Sequence, residues 1–337
     1  MKKKPSNRPL TLKEASKRFG QQKQTRLPPP AVIPPRKTIP VRILSLDDVA
    51  SISTRPIPPF IPDGVSVSAI PHVTQESHPV APAIRKGINP GVVFWGESRR
   101  TFQDRNYPWR AIGRIDTPLG FGTAYLVGPR HIATASHVIE YTETGAGFIR
   151  FRPGFNRDMA DGTRGEALED VFAEEVTIFR RLNGRQPIPF EDVSADMAIC
   201  VLERRVGDSL GWLGSRVYDD DWDDESHWSN VGYPGCPKKH PDPCVSDGNR
   251  PFFDFDAPFK SLNEKDLGLG TIIRCEGDIT EGHSGGPVFG FWNDGPYSIG
   301  IYSGSGTIPD VDEDQGNFLA GGELMVKLVK QVRQDRP

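Results

Sequence analysis

Residues 279–290 read ITEGHSGGPVFG, and the core GHSGG fits two unrelated serine-nucleophile loops. Read as G-x-S-x-G it is the strand-to-helix elbow of an α/β-hydrolase, whose catalytic residues follow the chain order Ser, acid, His. Read as G-x-S-G-G-P it opens a strand instead. The histidines decide between the two. His283, immediately before Ser284, is the last of seven, so no base follows the serine. Pro287 and the run PVFGFW also continue as strand rather than helix. The elbow is excluded, and any base for Ser284 must lie upstream.

A serine hydroxyl is a weak nucleophile until an imidazole takes its proton, and that imidazole needs a carboxylate to fix its tautomer. The candidates are His72, His78, His131, His137, His227 and His240. His137 lies in FGTAYLVGPRHIATASHVIE, which reads as strand, turn, strand and then a small-residue T-A-S-H turn. His131, on the preceding strand edge, is the alternative. Next, SADMAICVLE places Asp196 just before an apolar strand, where its carboxylate can be buried facing an imidazole. Asp192, one turn earlier, reads as part of a solvated loop.

The rest of the chain agrees with a strand-rich body. Short β-branched or aromatic runs bounded by Gly, Pro, Asp or Asn recur after residue 92: GTAYLVG, RHIATAS, EEVTIFRRL, DMAICVLE, GTIIRCEG, PVFGFW and YSIGIYSG. Such a series predicts an all-β sandwich or barrel set. One amphipathic helix is predicted near the end, where Leu324, Leu328 and Val332, with Met325 and Val329, recur at i/i+4 spacing. Half of the 32 prolines fall in residues 1–90, which contain no Cys and no Trp. That stretch predicts an extended, disordered, Pro-rich arm over 1–91, with one short helix in TLKEASKRF, ahead of a domain over 92–337.

Residues 1–40 carry eleven Lys/Arg against a single acid, Glu14, in a chain of net charge −3, so a basic arm is attached to an acidic body. Phe19 is the one aromatic residue there, too few for base stacking along a strand, which argues for a solvated tail over a nucleic-acid partner. A protein partner for the Pro-rich stretch is the other use such an arm has. No run approaches the ~20 apolar residues of a membrane span. The N-terminus lacks the apolar core of a secretory signal. Of four cysteines, Cys236 and Cys244 bracket CPKKHPDPC and are placed either to pair or to remain thiols. YDDDWDDES, residues 218–226, offers carboxylates for Ca²⁺ but lacks a spaced ligand pattern, and reads as a solvated acidic loop that the basic arm can reach.

GTAYLVGPRHIATASHVI, ADMAICVL and EGHSGGPVF, in this order, resemble the three signature blocks of a chymotrypsin-fold (trypsin-like) serine protease. GESRRTFQDRNYPWRAIGRI, FIRFRPGFN, RRVGDSLGWLG and NVGYPG are similar to the bacterial and fungal glutamyl-endopeptidase (V8-like) branch. The resemblance spans roughly residues 92–333 and stops at the arm. It implies two antiparallel six-stranded β-barrels and a serine endopeptidase acting on protein or peptide substrates through an acyl-enzyme, without metal or organic cofactor. By the same resemblance Ser284 is the nucleophile, His137 the base and then acid, and Asp196 its orienting carboxylate. The N–H groups of Gly282 and Ser284 form the oxyanion hole.

Specificity stays open. The resemblance makes SIGIYSGSG the strand on which a substrate backbone pairs, with Ser303 near Asp196 and with Ser305 and Gly306 along the peptide. Glu-selective enzymes place a histidine where this chain has Tyr302, which speaks against an acidic preference. Asp278, six residues before the serine, sits at the spacing of the trypsin specificity acid and suits Lys or Arg, although V8-like relatives also carry an acid nearby. Proteases activated by cleavage carry an Asp just before the serine to capture the new N-terminus, and His283 there removes that switch. In V8-like relatives, which are usually secreted, a propeptide occupies the arm's position, which puts a mature start near Val92. A protease-like binding protein without activity and an esterase using the same three residues are the rival readings.

Overall fold

The computed structural model describes residues 7–19, 38–75, 99–157, 167–225, 227–235, 248–255, 259–262, 269–307 and 315–337. All seven β-branched runs become strands, because each alternates or masses apolar side chains between turn residues. Together they build two sheets. The first has the order Val41–Ile43, Val171–Ile178, Arg150–Pro153, Ile112–Thr117, Gly120–Gly128, His131–Thr134, Ala198–Leu202. Its last strand pairs back onto Val171–Ile178, closing six strands into a barrel. Leu126, Ile132, Phe151, Val176 and Ile199 fill it and are fully buried.

The second sheet has the order Phe259–Leu262, Thr271–Cys275, Gln315–Gly321, Gly295–Thr307, Pro287–Trp292, Ser229–Gly232, Phe252–Phe255, Arg100–Phe102, Val73–Gln75, with Gly214–Ser215 beside Gly295–Thr307. It therefore carries more than the six strands expected, and no closing ladder joins its ends among the described residues. Tyr218, Trp222, Trp228, Trp292 and Tyr297 pack as one aromatic cluster against it. The acidic loop is thus anchored through Trp222, while Asp219 accepts the N–H of Asp221 to cap its own turn.

The C-terminal helix spans Gly322–Asp335 and buries Leu324, Met325, Leu328, Val329 and Val332, the predicted stripe. It packs against strands of both sheets, Ala198–Leu202 and Thr271–Cys275 among them. Five such side chains at about 1.5–3 kcal/mol each make it a structural keystone between the two units.

Where it is described, the N-terminal segment differs from the extended, disordered arm the sequence predicts. The helix Leu12–Phe19 forms as expected, but it lies on the second sheet: Leu10 bridges Phe291, and Trp292 Nε1 donates to the Asn7 carbonyl. Val41–Ile43 adds a parallel strand to the barrel. Lys330 of the C-terminal helix donates to the carbonyls of Ser53 and Arg55, both at 2.6 Å. Ile57 bridges Ser215, Phe60 stacks on Trp212 at 4.4 Å between centroids, and Val73–Gln75 joins the second sheet. The segment is a strap across both units. Proline excludes central strands, but an edge strand and isolated bridges need few N–H donors. The apolar residues between the prolines, Ile39, Leu44, Val49 and Ile57, supply the burial. The arm does reach the acidic loop, where Asn7 Nδ2 donates to Asp219 Oδ2 at 3.3 Å.

His131, the alternative base, is a structural residue. It is fully buried, its Nε2 lies 2.9 Å from the Arg336 carbonyl, and burial with Arg333, Arg130 and Arg205 nearby lowers its pKa to about 4. A histidine whose folded pKa is depressed stabilises above its unfolded value of ~6.5 and loses that contribution as pH falls. Between pH 6.5 and 4 the fold should lose up to about 3 kcal/mol through this group. Urea midpoints measured across that range should fall less steeply in His131→Gln, and parallel slopes would refute the assignment.

Candidate active site

The serine loop is held by turns on either side of Ser284. His283 N–H donates to the Thr280 carbonyl at 3.0 Å, and Gly286 N–H donates to the His283 carbonyl at 2.8 Å. Gly282 and Gly285 both take left-handed backbone angles, φ +93° and +85°. No side chain fits at either. A Cβ on Gly282 would meet the Tyr233 carbonyl at 2.2 Å, and one on Gly285 would meet the Thr123 carbonyl and Thr134 Oγ1 at 2.2 Å. Gly285 therefore seats the serine loop directly on the T-A-S-H turn of the barrel.

Thr123 fastens the same contact from the strand Gly120–Gly128. Its N–H donates to the Ser284 carbonyl (2.9 Å), and its hydroxyl donates to the Gly282 carbonyl (2.7 Å) while accepting from Tyr233 N–H (3.0 Å). With these carbonyls engaged, the N–H groups of Gly282 and Ser284 have no hydrogen-bond partner among the described residues. Two free donors flanking one residue, one of them the serine's own N–H, suit a developing oxyanion.

His137 sits in a short 3₁₀ turn, Ser136–Val138, that follows the strand His131–Thr134. Asp196 follows a second such turn, Phe190–Ala195, and is fully buried. Its Oδ1 accepts the main-chain N–H of His137 at 2.9 Å and its Oδ2 lies 2.6 Å from His137 Nδ1. Ser303 completes the carboxylate's shell by donating its hydroxyl to Oδ2 at 2.5 Å. A register shift between Tyr302 and Gly304 turns Ser303 out of the ladder toward Asp196, a local use of a bulge to re-aim one side chain. Gly122 lies between the two halves: a Cβ there would touch Val138 at 2.9 Å and the Ser284 carbonyl at 3.0 Å. Asp192 is not a loose surface acid; it pairs with Arg180.

The residues read as substrate contacts separate into two groups. Ser305 and Gly306 lie on the strand Gly295–Thr307, opposite Asn317 and Gly316. Asn317 donates to the Gly277 carbonyl at 2.8 Å, which ties that strand to the turn bearing Asp278. Asp278 is buried, and its N–H donates to Asp254 Oδ2 at 3.0 Å, a second buried carboxylate that sequence reasoning missed. Tyr302, by contrast, is a core residue. Its hydroxyl contacts Cys275 Sγ (3.0 Å) and Asn230 Nδ2 (3.3 Å), and burial raises its pKa well above the ordinary phenol value, so it stays neutral. Asn230, Cys275 and Asp254 carried no sequence signal, because each is a single letter in a short strand with no motif around it. Cys236, Cys244 and the proposed start near Val92 fall outside the described residues.

No protein-family model and no curated protein matches the sequence. Solved structures do match. A Glu endopeptidase, determined in complex with MPD, superposes with a TM-score of 0.51 at 17% identity, covering 73% of this chain and 99% of that one. A thermostable serine protease, AL20, from an extremophilic microorganism gives 0.45 at 19% identity, covering 66% and 96%. Protease Anisep from Arthrobacter nicotinovorans gives 0.46 at 15% identity, covering 70% and 99%. The barrel, the second sheet and the C-terminal helix are thus those of a chymotrypsin-like fold, shared with the Glu endopeptidase.

Proposed function

We propose that the chain is a serine endopeptidase. Ser284 Oγ attacks the scissile carbonyl as its proton passes to His137 Nε2, and the carbonyl oxygen gains charge facing the N–H groups of Gly282 and Ser284. Collapse breaks the C–N bond, and the His137 proton goes to the leaving amine. Water then attacks the acyl-serine by the same path in reverse. The single observation that carries this reading is the grip of Asp196 on His137. With both carboxylate oxygens engaged by one histidine, Nδ1 holds its proton and Nε2 is left as the acceptor.

For the side chain preceding the cleaved bond, the pair Asp278 and Asp254 supports Lys or Arg. Two buried acids at this end of the strand favour a cationic side chain over an anionic one. A neutral, fully bonded Tyr302 offers the latter no compensating cation.

A fluorophosphonate probe should label the wild-type protein and leave Ser284→Ala unlabelled. Digestion of a peptide library should then yield products ending in Lys or Arg. No labelling, even after trimming of the N-terminal segment, would sink the enzyme reading, while products ending in Glu would overturn only the basic preference.

A further inference from the structure

His283 occupies the middle of the serine loop yet takes no part in the chemistry above. Its side chain is fully buried, and its ring lies so tightly against Gly232 that a Cβ there would come within 2.3 Å of Cδ2. Its Nδ1 faces two donors, the N–H of Thr280 and Nη1 of Arg99, each at 3.4 Å. The same Arg99 nitrogen donates to Thr280 Oγ1 at 2.9 Å. Arg99 is itself buried, only 2% exposed, at the start of the strand Arg100–Phe102. A buried guanidinium, 184 residues away in sequence, therefore grips the loop from beneath at two points.

The consequence follows from chain geometry. His283 stands between the two residues whose N–H groups face the reacting carbonyl. With its side chain fixed inward and turns closing on its N–H and its carbonyl, the backbone on either side is held in one conformation, and with it the N–H groups of Gly282 and Ser284. We propose that Arg99, Thr280 and His283 form a built-in clamp that sets the oxyanion donors in the uncut chain, so that no cleavage is needed to assemble the site. This rests on the endopeptidase reading. Burial, with the Arg99 charge second, lowers the His283 pKa well below its ordinary value, so the ring is neutral and Nδ1 can accept from both donors. Arg99 and His283 are positioning residues, and neither touches the substrate.

The test uses the full-length protein, with its intact mass verified before and after assay. Uncut wild type should react with the fluorophosphonate probe and turn over a peptide substrate. Complete loss of one oxyanion donor lowers kcat by roughly 10²–10³, so loosening both by Arg99→Met or His283→Leu should cost about 10- to 100-fold in kcat. KM should stay within about twofold, and affinity for a peptide boronate, which places an anion in the hole, should fall in parallel with kcat/KM. Arg99→Lys and His283→Asn, which keep a donor and an acceptor, should recover most of the rate. If Arg99→Met does not fold, Thr280→Val carries the test, since it removes one grip while preserving shape. A folded Arg99→Met or Thr280→Val with wild-type kcat overturns the clamp, as does a wild type that reacts only after cleavage. A wild type that never reacts, cut or uncut, refutes the endopeptidase reading instead.

Discussion

Asp196→Asn is expected to lower kcat by about 10⁴ with little change in KM. The reason is the number of donors that converge on this carboxylate. Its two oxygens receive the main-chain N–H and the Nδ1–H of His137 together with the Ser303 hydroxyl, in a fully buried position. An amide has one oxygen to offer. Turned toward Nδ1, it leaves its NH₂ against the His137 main-chain N–H, two donors without an acceptor. Turned the other way, the NH₂ faces Nδ1 and drives the imidazole proton to Nε2, where it blocks transfer from Ser284. The second arrangement avoids the donor clash of the first, and it disables the base while leaving the peptide-binding strand intact. Single-turnover rates on a peptide substrate measure this directly. A variant within tenfold of the wild type would show that Asp196 serves packing rather than catalysis.

Gly285→Ala should destabilise the protein by about 4 kcal/mol or more, a size reached only through a few severe mechanisms. The first is the backbone: φ is +85°, where any residue with a Cβ pays roughly 1–2 kcal/mol. The second is the contact. The added methyl would stand 2.2 Å from a carbonyl oxygen and a threonine hydroxyl of the barrel, and 2.9 Å from the Ala135 nitrogen. Those atoms belong to ladders that hold the barrel closed, so they cannot retreat cheaply. The loop must lift away from the T-A-S-H turn instead, separating Ser284 from His137. Urea unfolding should report the lower midpoint and a peptide assay the loss of rate. A stability within 1 kcal/mol of wild type would mean that the serine loop does not bear on the barrel as described.

The elements that were legible in the sequence are those whose chemistry is local. Gly282, Ser284 and Gly285 stand together because a tight turn demands them together, and the missing later histidine removed the elbow by order alone. Asp196 and His137 were readable from the small or polar letters beside apolar strands, and the C-terminal helix from a simple i/i+4 stripe. What escaped depends on contacts between distant segments. Arg99 and His283 meet across 184 residues, and nothing near either one announces the other. Tyr302 looked like a substrate contact because alignment of motifs fixes a position along a strand, whereas the alternation of the strand decides which face the side chain occupies. The Pro-rich strap was read as loose because its apolar residues follow no period, and an edge that borrows hydrogen bonds from an existing sheet requires none.

That strap has a consequence for how the protein comes into being. Synthesis delivers it long before the strand Val171–Ile178, the residues Trp212–Ser215 and the helix Gly322–Asp335 that receive it. Throughout that interval Ile39, Leu44, Val49 and Ile57 have no surface to cover them. A segment with so many β-branched and aliphatic residues would ordinarily invite its neighbours on other nascent chains to pair with it. Proline at positions 40, 56, 58, 59 and 62 forbids continuous cross-chain ladders without hindering the few isolated bridges the finished fold requires. The same residues that made this stretch look unstructured thus act as a safeguard for a waiting chain, keeping it soluble until its own C-terminal helix arrives to close it in.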